Sequence, residues 1–255
     1  MSMTTTWSLG DSISMSSRSL RILSRQIDTL LITILLPVFL MLLFVYVFGG
    51  AMDVGTDYVQ YVVPGIIVLC AGYGAAGTGV SVASDMQSGV IDRFRSLPIV
   101  SSSVLIGHVV ASLTSNVVST TLVFVAAFVT GFRTDASPLD WLGVAGLLVL
   151  FVLAVSWTAT AVGLAVRNVE AASGASFIML FLPYLSSAFV PTDTMPSALQ
   201  AIARHQPFTH LIEALRTLLL GSDPGNSVWL AIAWFGGILV VAFIAATQRF
   251  QRMTS

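Results

Sequence analysis

Apolar residues in this chain do not alternate with charged ones; they run on without interruption. The stretches 29–48, 58–84, 104–131, 141–166, 171–190 and 228–247 contain no Asp, Glu, Lys or Arg, so all 11 basic and 12 acidic residues fall outside them. A charge at the centre of a bilayer costs about 2.5–3.5 kcal/mol on insertion scales, and segregation of this kind is what burial in lipid selects. At about 1.5 Å per residue, roughly 20 residues cross a hydrocarbon core some 30 Å thick, and every stretch reaches that length. The pattern predicts an all-α membrane protein with six transmembrane helices, forming a single transmembrane domain over 1–255.

The polar segments between the spans are patterned too. Before the first span, Arg18, Arg21, Arg25 and Asp28 recur at steps of three and four, while Leu20, Leu23, Ile27 and Leu31 form a second stripe. Those spacings predict an N-terminal interfacial helix, apolar side toward lipid and Arg toward anionic headgroups. Between spans two and three, Ile91, Phe94 and Leu97 recur every three residues among Asp85, Asp92, Arg93 and Arg95, up to Pro98. That predicts a short helix with one apolar edge, shaped for a groove on a cytosolic partner. Between spans five and six lies Pro191–Ser227, too long for a structureless connector. Phe208, Leu211, Ile212, Leu215, Leu218 and Leu219 follow helical period, with Glu213 and Arg216 opposite and Gly221 placed to end the helix. Leu199, Ile202 and Ala203 mark a shorter helix after Pro196, and Pro207 separates the two. The expectation is a helical hairpin dipping into the outer leaflet.

Within the spans, Pro37, Pro64 and Pro183 predict kinks. Gly65, Gly72, Gly74, Ala75, Ala76, Gly77 and Gly79 make span two a stripe of small residues suited to close helix packing in lipid. The first 28 residues are polar and Ser-rich and do not resemble a cleavable secretory signal.

Composition sharpens the picture in three places. Only 9% of residues are charged and 56% are hydrophobic, against about a quarter charged in soluble domains, so no separate soluble domain is expected. All basic residues are Arg; without Lys a G-x-x-x-x-G-K-[ST] phosphate loop cannot exist, so the chain is not expected to be an enzyme that binds its own nucleotide. The single cysteine, Cys70, lies mid-span and excludes an intrachain disulfide. With the N-terminus inside, Arg18, Arg21, Arg25, Arg93, Arg95, Arg167, Arg249 and Arg252 face the cytoplasm, while Arg133, Arg204 and Arg216 lie opposite. That satisfies the positive-inside rule with both termini cytoplasmic.

The residues Asp85, Gly89, Ile91-Asp92, Arg93, Arg95 and Pro98 match a pattern between spans two and three of the ABC-2-type transporter permeases. The outer run Pro191…Met195-Pro196…Leu199…Ala203…Pro207…Glu213-Ala214-x-Arg216…Gly221 is similar to that family's second signature. The chain therefore resembles an ABC-2 permease of the daunorubicin-resistance (DrrB-like) exporter group, over essentially its whole length. It departs at Asp85 where Glu is usual, at Gln87 and at Val90. The resemblance implies the membrane half of an ATP-driven exporter of hydrophobic drugs or lipid-like cargo in a bacterial plasma membrane. It implies a second permease, homologous or identical, and two copies of a separate ABC ATPase that binds ATP and Mg. Asp85, Gly89, Ile91, Asp92, Arg93, Phe94, Arg95 and Pro98 become the coupling helix docked in that ATPase. Pro191, Pro196, Pro207, Glu213, Arg216 and Gly221 become an extracellular gate, in which Glu213 and Arg216 act as a pair that a charge swap partly restores.

Other classes fit less well. An ion-coupled secondary transporter normally needs ionisable groups at membrane depth, and only His108 approaches that. A rhomboid-like G-x-S-G is absent, and His205 and His210 lie off the helical zinc spacing, so neither catalytic nor metal residues are expected. A non-transporting ABC-associated membrane subunit remains an alternative, and no nucleic-acid partner is indicated.

Overall fold

The computed structural model describes residues 27–52, 54–88, 102–223 and 225–254. Arg18, Leu20, Arg21, Leu23 and Arg25 of the expected interfacial helix, and the expected coupling residues Gly89, Ile91, Asp92, Arg93, Phe94, Arg95 and Pro98, lie outside the described residues. The described chain is helical, with no strand among the described residues. Helix α1 spans Ile27–Leu42 and continues through a π-helical stretch, Leu43–Phe48, into a 3₁₀ turn. It is followed by α2 (Tyr58–Gln87), α3 (Ser102–Val129), α4 (Pro138–Gly163) and α5 (Val169–Phe181). A hairpin of α6 (Ser197–His205) and α7 (Pro207–Leu219) precedes α8 (Ser227–Thr254).

Local chemistry sets several of these boundaries. Ser137 and Asp140 form a reciprocal capping box at the start of α4, with Pro138 at its first position. The Asn168 side chain accepts from Ala171 N at 2.9 Å and opens α5. Helix α7 ends at Gly221, whose φ of +65° suits a residue without Cβ, and Ser222 N donates back to Thr217 O.

Among the described residues, five helices are long and apolar enough to cross a membrane: Ile34–Ala51, Tyr58–Gln87, Leu105–Val129, Pro138–Gly163 and Ser227–Arg252. The fifth apolar stretch behaves differently. Expected as a span over 171–190, it is α-helical only to Phe181 and then makes a 3₁₀ turn, Leu182–Leu185. Pro183 cannot donate a helical hydrogen bond, and Ser186 turns to extended backbone (φ −110°). Ser186–Val190 is therefore irregular chain lying inside the protein.

Helix α2 is the centre of the bundle, packed by α1, α3, α4, α5 and α7, while α8 leans on α4 and α7. The run Ile66–Ala71 is fully buried. The small-residue stripe does pack, at chosen positions. A Cβ at Gly79 would lie 2.5 Å from Ala159 O, and one at Gly65 would lie 2.8 Å from Ala188 Cβ. Gly77, by contrast, faces open space. Lipid supplies no hydrophobic drive between helices, so polar contacts add to this packing. Ser112 and Ser156 hydroxyls meet at 2.8 Å between α3 and α4, and Ser176 Oγ of α5 donates to Ala76 O of α2 at 3.1 Å. The outer faces of α1 and α8 carry exposed Leu35, Phe39, Val47, Trp229 and Val241, as helices bathed in lipid do.

Candidate functional site

Backbone without helical bonding is tolerated at membrane depth only where the protein itself satisfies its polar groups. Ser186–Val190 meets that condition through three side chains. Tyr61 Oη donates to Ser187 O at 2.9 Å, and Tyr58 Oη donates to Phe189 O at 2.9 Å. Arg216 Nη2 donates to Ser187 O at 2.8 Å. The same guanidinium donates from Nε and Nη2 to Tyr61 O, at 3.2 and 3.1 Å, and lies 3.8 Å over the Tyr61 ring. One planar fork thus joins α7, the start of α2 and the broken end of α5, a geometry lysine cannot copy. Packing reinforces the junction. Ala188 lies directly on Gly65, and Phe189 stacks on Phe44 of the α1 extension at 4.3 Å. Thr209 Oγ1 accepts from Ser187 N at 3.4 Å.

Of the expected gate residues, Pro196 immediately precedes α6, Pro207 begins α7 and Gly221 ends it. Pro191 leads into the Thr192–Thr194 turn. Arg204 of α6 pairs with Asp193 within that turn. The far end of α7 is fixed to the α3–α4 connection, where Thr134 Oγ1 donates to Leu219 O at 2.6 Å. The pairing of Glu213 with Arg216 needs correction: among the described residues they form no ion pair within 4.0 Å. Arg216 turns inward, where its guanidinium adds donors to the buried carbonyls of Tyr61 and Ser187. Burial pulls the Arg216 pKa below its ordinary value, and the fields of Tyr61 and Glu213 oppose that.

At the other end of the bundle, Asp85 in the last turn of α2 lies 3.2 Å from His108 Nε2 of α3. The two side chains are 21% and 12% exposed, so the contact is largely shielded from water. His108 thus contacts Asp85, the first residue of the segment expected to couple to an ATPase. Beside it, Val82, Leu105, Trp157, Leu164 and Phe250 form a cluster that gathers the ends of α2, α3, α4 and α8. Arg249 of α8 donates to Leu164 O at 3.1 Å and Ala165 O at 3.3 Å. Among the described residues, no three His, Cys, Asp or Glu side chains gather as a metal site.

Sequence reasoning did not find the Tyr58–Tyr61–Ser187 network. A signal was present, since two Tyr one turn apart at a span end carry hydroxyls that need partners, and Ser186-Ser187 follows Pro183.

Among the described residues, five full-length apolar helices, a shorter sixth and a half-buried hairpin define a multi-pass α-helical membrane protein. The chain belongs to the ABC-2 type transporter family, whose sequence profile matches residues 12–220. It is 34% identical, over 86% of its length and 78% of the relative's, to the daunorubicin resistance ABC transporter permease protein DrrB1 of Streptomyces coeruleorubidus. It is 24% identical to the probable doxorubicin resistance ABC transporter permease protein DrrC of Mycobacterium tuberculosis, over 91% of this chain and 85% of that one. A putative transport permease, ycf38, of Cyanophora paradoxa is 28% identical over 82% of this chain and 72% of its own.

Proposed function

We propose that the chain is the membrane-spanning permease subunit of an ATP-driven exporter, moving a hydrophobic or amphipathic substrate out of a bacterial cell. The observation that carries this reading is the ABC-2 family match over residues 12–220, which takes in both the Asp85–Pro98 segment and the α6–α7 hairpin. The kind of cargo follows from the drug-resistance permeases it resembles and from spans free of Asp, Glu, Lys and Arg. ATP and Mg bind on a separate ABC ATPase, two copies serving two permease chains. Asp85–Pro98 docks in that ATPase, and the α6–α7 hairpin forms the outer gate.

In this scheme the Asp85–His108 contact holds the root of the coupling segment against α3. Replacing His108 with Leu should lower ATP-driven export several-fold while ATP hydrolysis by the complex continues and the protein level in the membrane stays near normal. Export unchanged at normal expression would remove the contact from the coupling path.

The Arg distribution supports a topology with both termini in the cytoplasm and the hairpin outside. Cysteines introduced at Ser2 and Ser222 in a Cys70→Ala background test this. An impermeant thiol reagent on intact cells should label position 222 and spare position 2; the reverse labelling inverts the topology.

A further inference from the structure

A groove of about 300 Å³ runs between α3 and α4, apart from both ends described above. From α3 it is lined by Asn116, Thr120 and Phe124, each one turn from the next, and from α4 by Trp141, Ala145 and Val152. Phe124 and Trp141 form an aromatic wall, their ring centroids 5.3 Å apart. The groove opens toward lipid, because Val117 and Val149 of its lining are exposed. From Trp141 to Val152 it extends about 17 Å along α4 at 1.5 Å per residue, close to the depth of one leaflet.

What distinguishes this groove from a plain apolar seam is a polar floor with bonding capacity to spare. Thr120 is only 8% exposed, and its hydroxyl makes no hydrogen bond among the described residues. Thr114 and Thr121 of the same helix instead donate to the carbonyls of Val110 and Val117, at 2.9 and 2.7 Å, the common way for a helical Thr to be satisfied. Asn116, 2% exposed, donates from Nδ2 to Ser112 O at 2.9 Å, but its Oδ1 has no partner. Hydrocarbon supplies no water to such groups, and a buried polar atom left unpaired is costly. Aromatic walls with a few placed polar groups are the composition of small-molecule sites, and 300 Å³ is at the small end of their range. One turn of a helix 10 Å wide fills roughly 400 Å³, so the groove does not seat a neighbouring helix. Among the described residues its lining carries no Asp, Glu, Lys or Arg, which favours an uncharged occupant.

We propose that the α3–α4 groove binds an uncharged, flat aromatic molecule bearing a hydroxyl group, taken from the surrounding lipid, with its rings against Phe124 and Trp141 and its hydroxyl on Thr120. Thr120 lies one turn from Phe124, about 6 Å along the helix, a distance that a fused ring system spans. Ring contact holds the molecule, and the hydroxyl shares a hydrogen bond with the Oγ1 that the helix leaves free. The site goes beyond the exporter reading, since it is built within one chain and needs no ATPase.

Hydroxypyrene and pyrene are matched probes, alike in ring system and both able to accept excitation energy from tryptophan. Each is titrated into the purified full-length chain in detergent micelles, and the transfer lost in Trp141→Phe isolates the signal of the groove. Thr120→Val keeps the shape of the side chain and removes its hydroxyl. It should raise the half-saturating concentration of hydroxypyrene about fivefold, the factor of one net hydrogen bond, and leave that of pyrene unchanged. Pyrene thereby serves as the control that the variant is folded. Ala145→Phe, at an exposed lining position, should fill the groove and lower transfer to both probes at saturation. An equal response of the two probes to Thr120→Val overturns the proposal and leaves an unselective apolar groove. A signal that survives Ala145→Phe, or the absence of any Trp141 component with either probe, overturns it as well.

Discussion

Arg216→Gln should reduce export at least tenfold and destabilise the protein by about 2–3 kcal/mol, the worth of hydrogen bonds to a charged group. The guanidinium donates to Tyr61 O and Ser187 O and covers the Tyr61 ring, so one substitution loosens α7, α2 and the irregular end of α5 together. Arg216→Lys should fail nearly as badly, because an ammonium cannot span both carbonyls in one plane. Glu213→Gln should be far milder, since Glu213 shares no ion pair with Arg216. For the same reason the charge swap Glu213→Arg with Arg216→Glu should not restore export. The checks are efflux rate and thermal stability of the detergent-solubilised chain. Rescue by the swap would mean that the pair, rather than the carbonyl clamp, is the functional unit.

Gly79→Val should have a comparable effect by a different route. The added Cβ would meet Ala159 O at 2.5 Å and Ala159 C at 3.1 Å, and both are backbone atoms of α4 that cannot rotate aside. Gly163 faces Gly79 in turn, so neither helix can give without separating from the other. Forcing α2 and α4 apart belongs at the upper end of overpacking penalties, about 3 kcal/mol, and removes small-residue contacts that lipid does not replace. The amount of folded chain recovered from membranes should fall severalfold. Gly77→Val, two residues earlier on the same helix, points into open space and should be nearly silent. Equal loss from both substitutions would show that helix composition, not the α2–α4 approach, is what matters.

Charge segregation made the membrane class readable, because no soluble architecture keeps six stretches of 20 or more residues free of Asp, Glu, Lys and Arg. The hairpin was readable for a related reason. Pro196, Pro207 and Gly221 punctuate it, and α6 and α7 begin and end where those residues permit. The fifth apolar stretch was harder, since hydropathy counts apolar residues and cannot tell helix from irregular chain. Only Pro183 hinted that Ser186–Val190 leaves the helix. The direction of Arg216 was hidden as well. Helical periodicity put it with Glu213 on a polar face, but the carbonyls it serves belong to residues 29 and 155 positions away. The Asp85–His108 contact is equally non-local, joining two helices across a segment outside the described residues.

The central claim is that this chain conducts substrate only under drive from a separate ATPase. It is tested most directly by transport into proteoliposomes containing the chain alone, or the chain with its cognate ABC ATPase. A hydrophobic anthracycline would serve as the cargo, with ATP supplied on the ATPase side. The account predicts accumulation that requires both proteins and hydrolysable ATP and is indifferent to an imposed proton gradient. Uptake by the chain alone under a proton gradient, with no gain from ATPase and ATP, would contradict it.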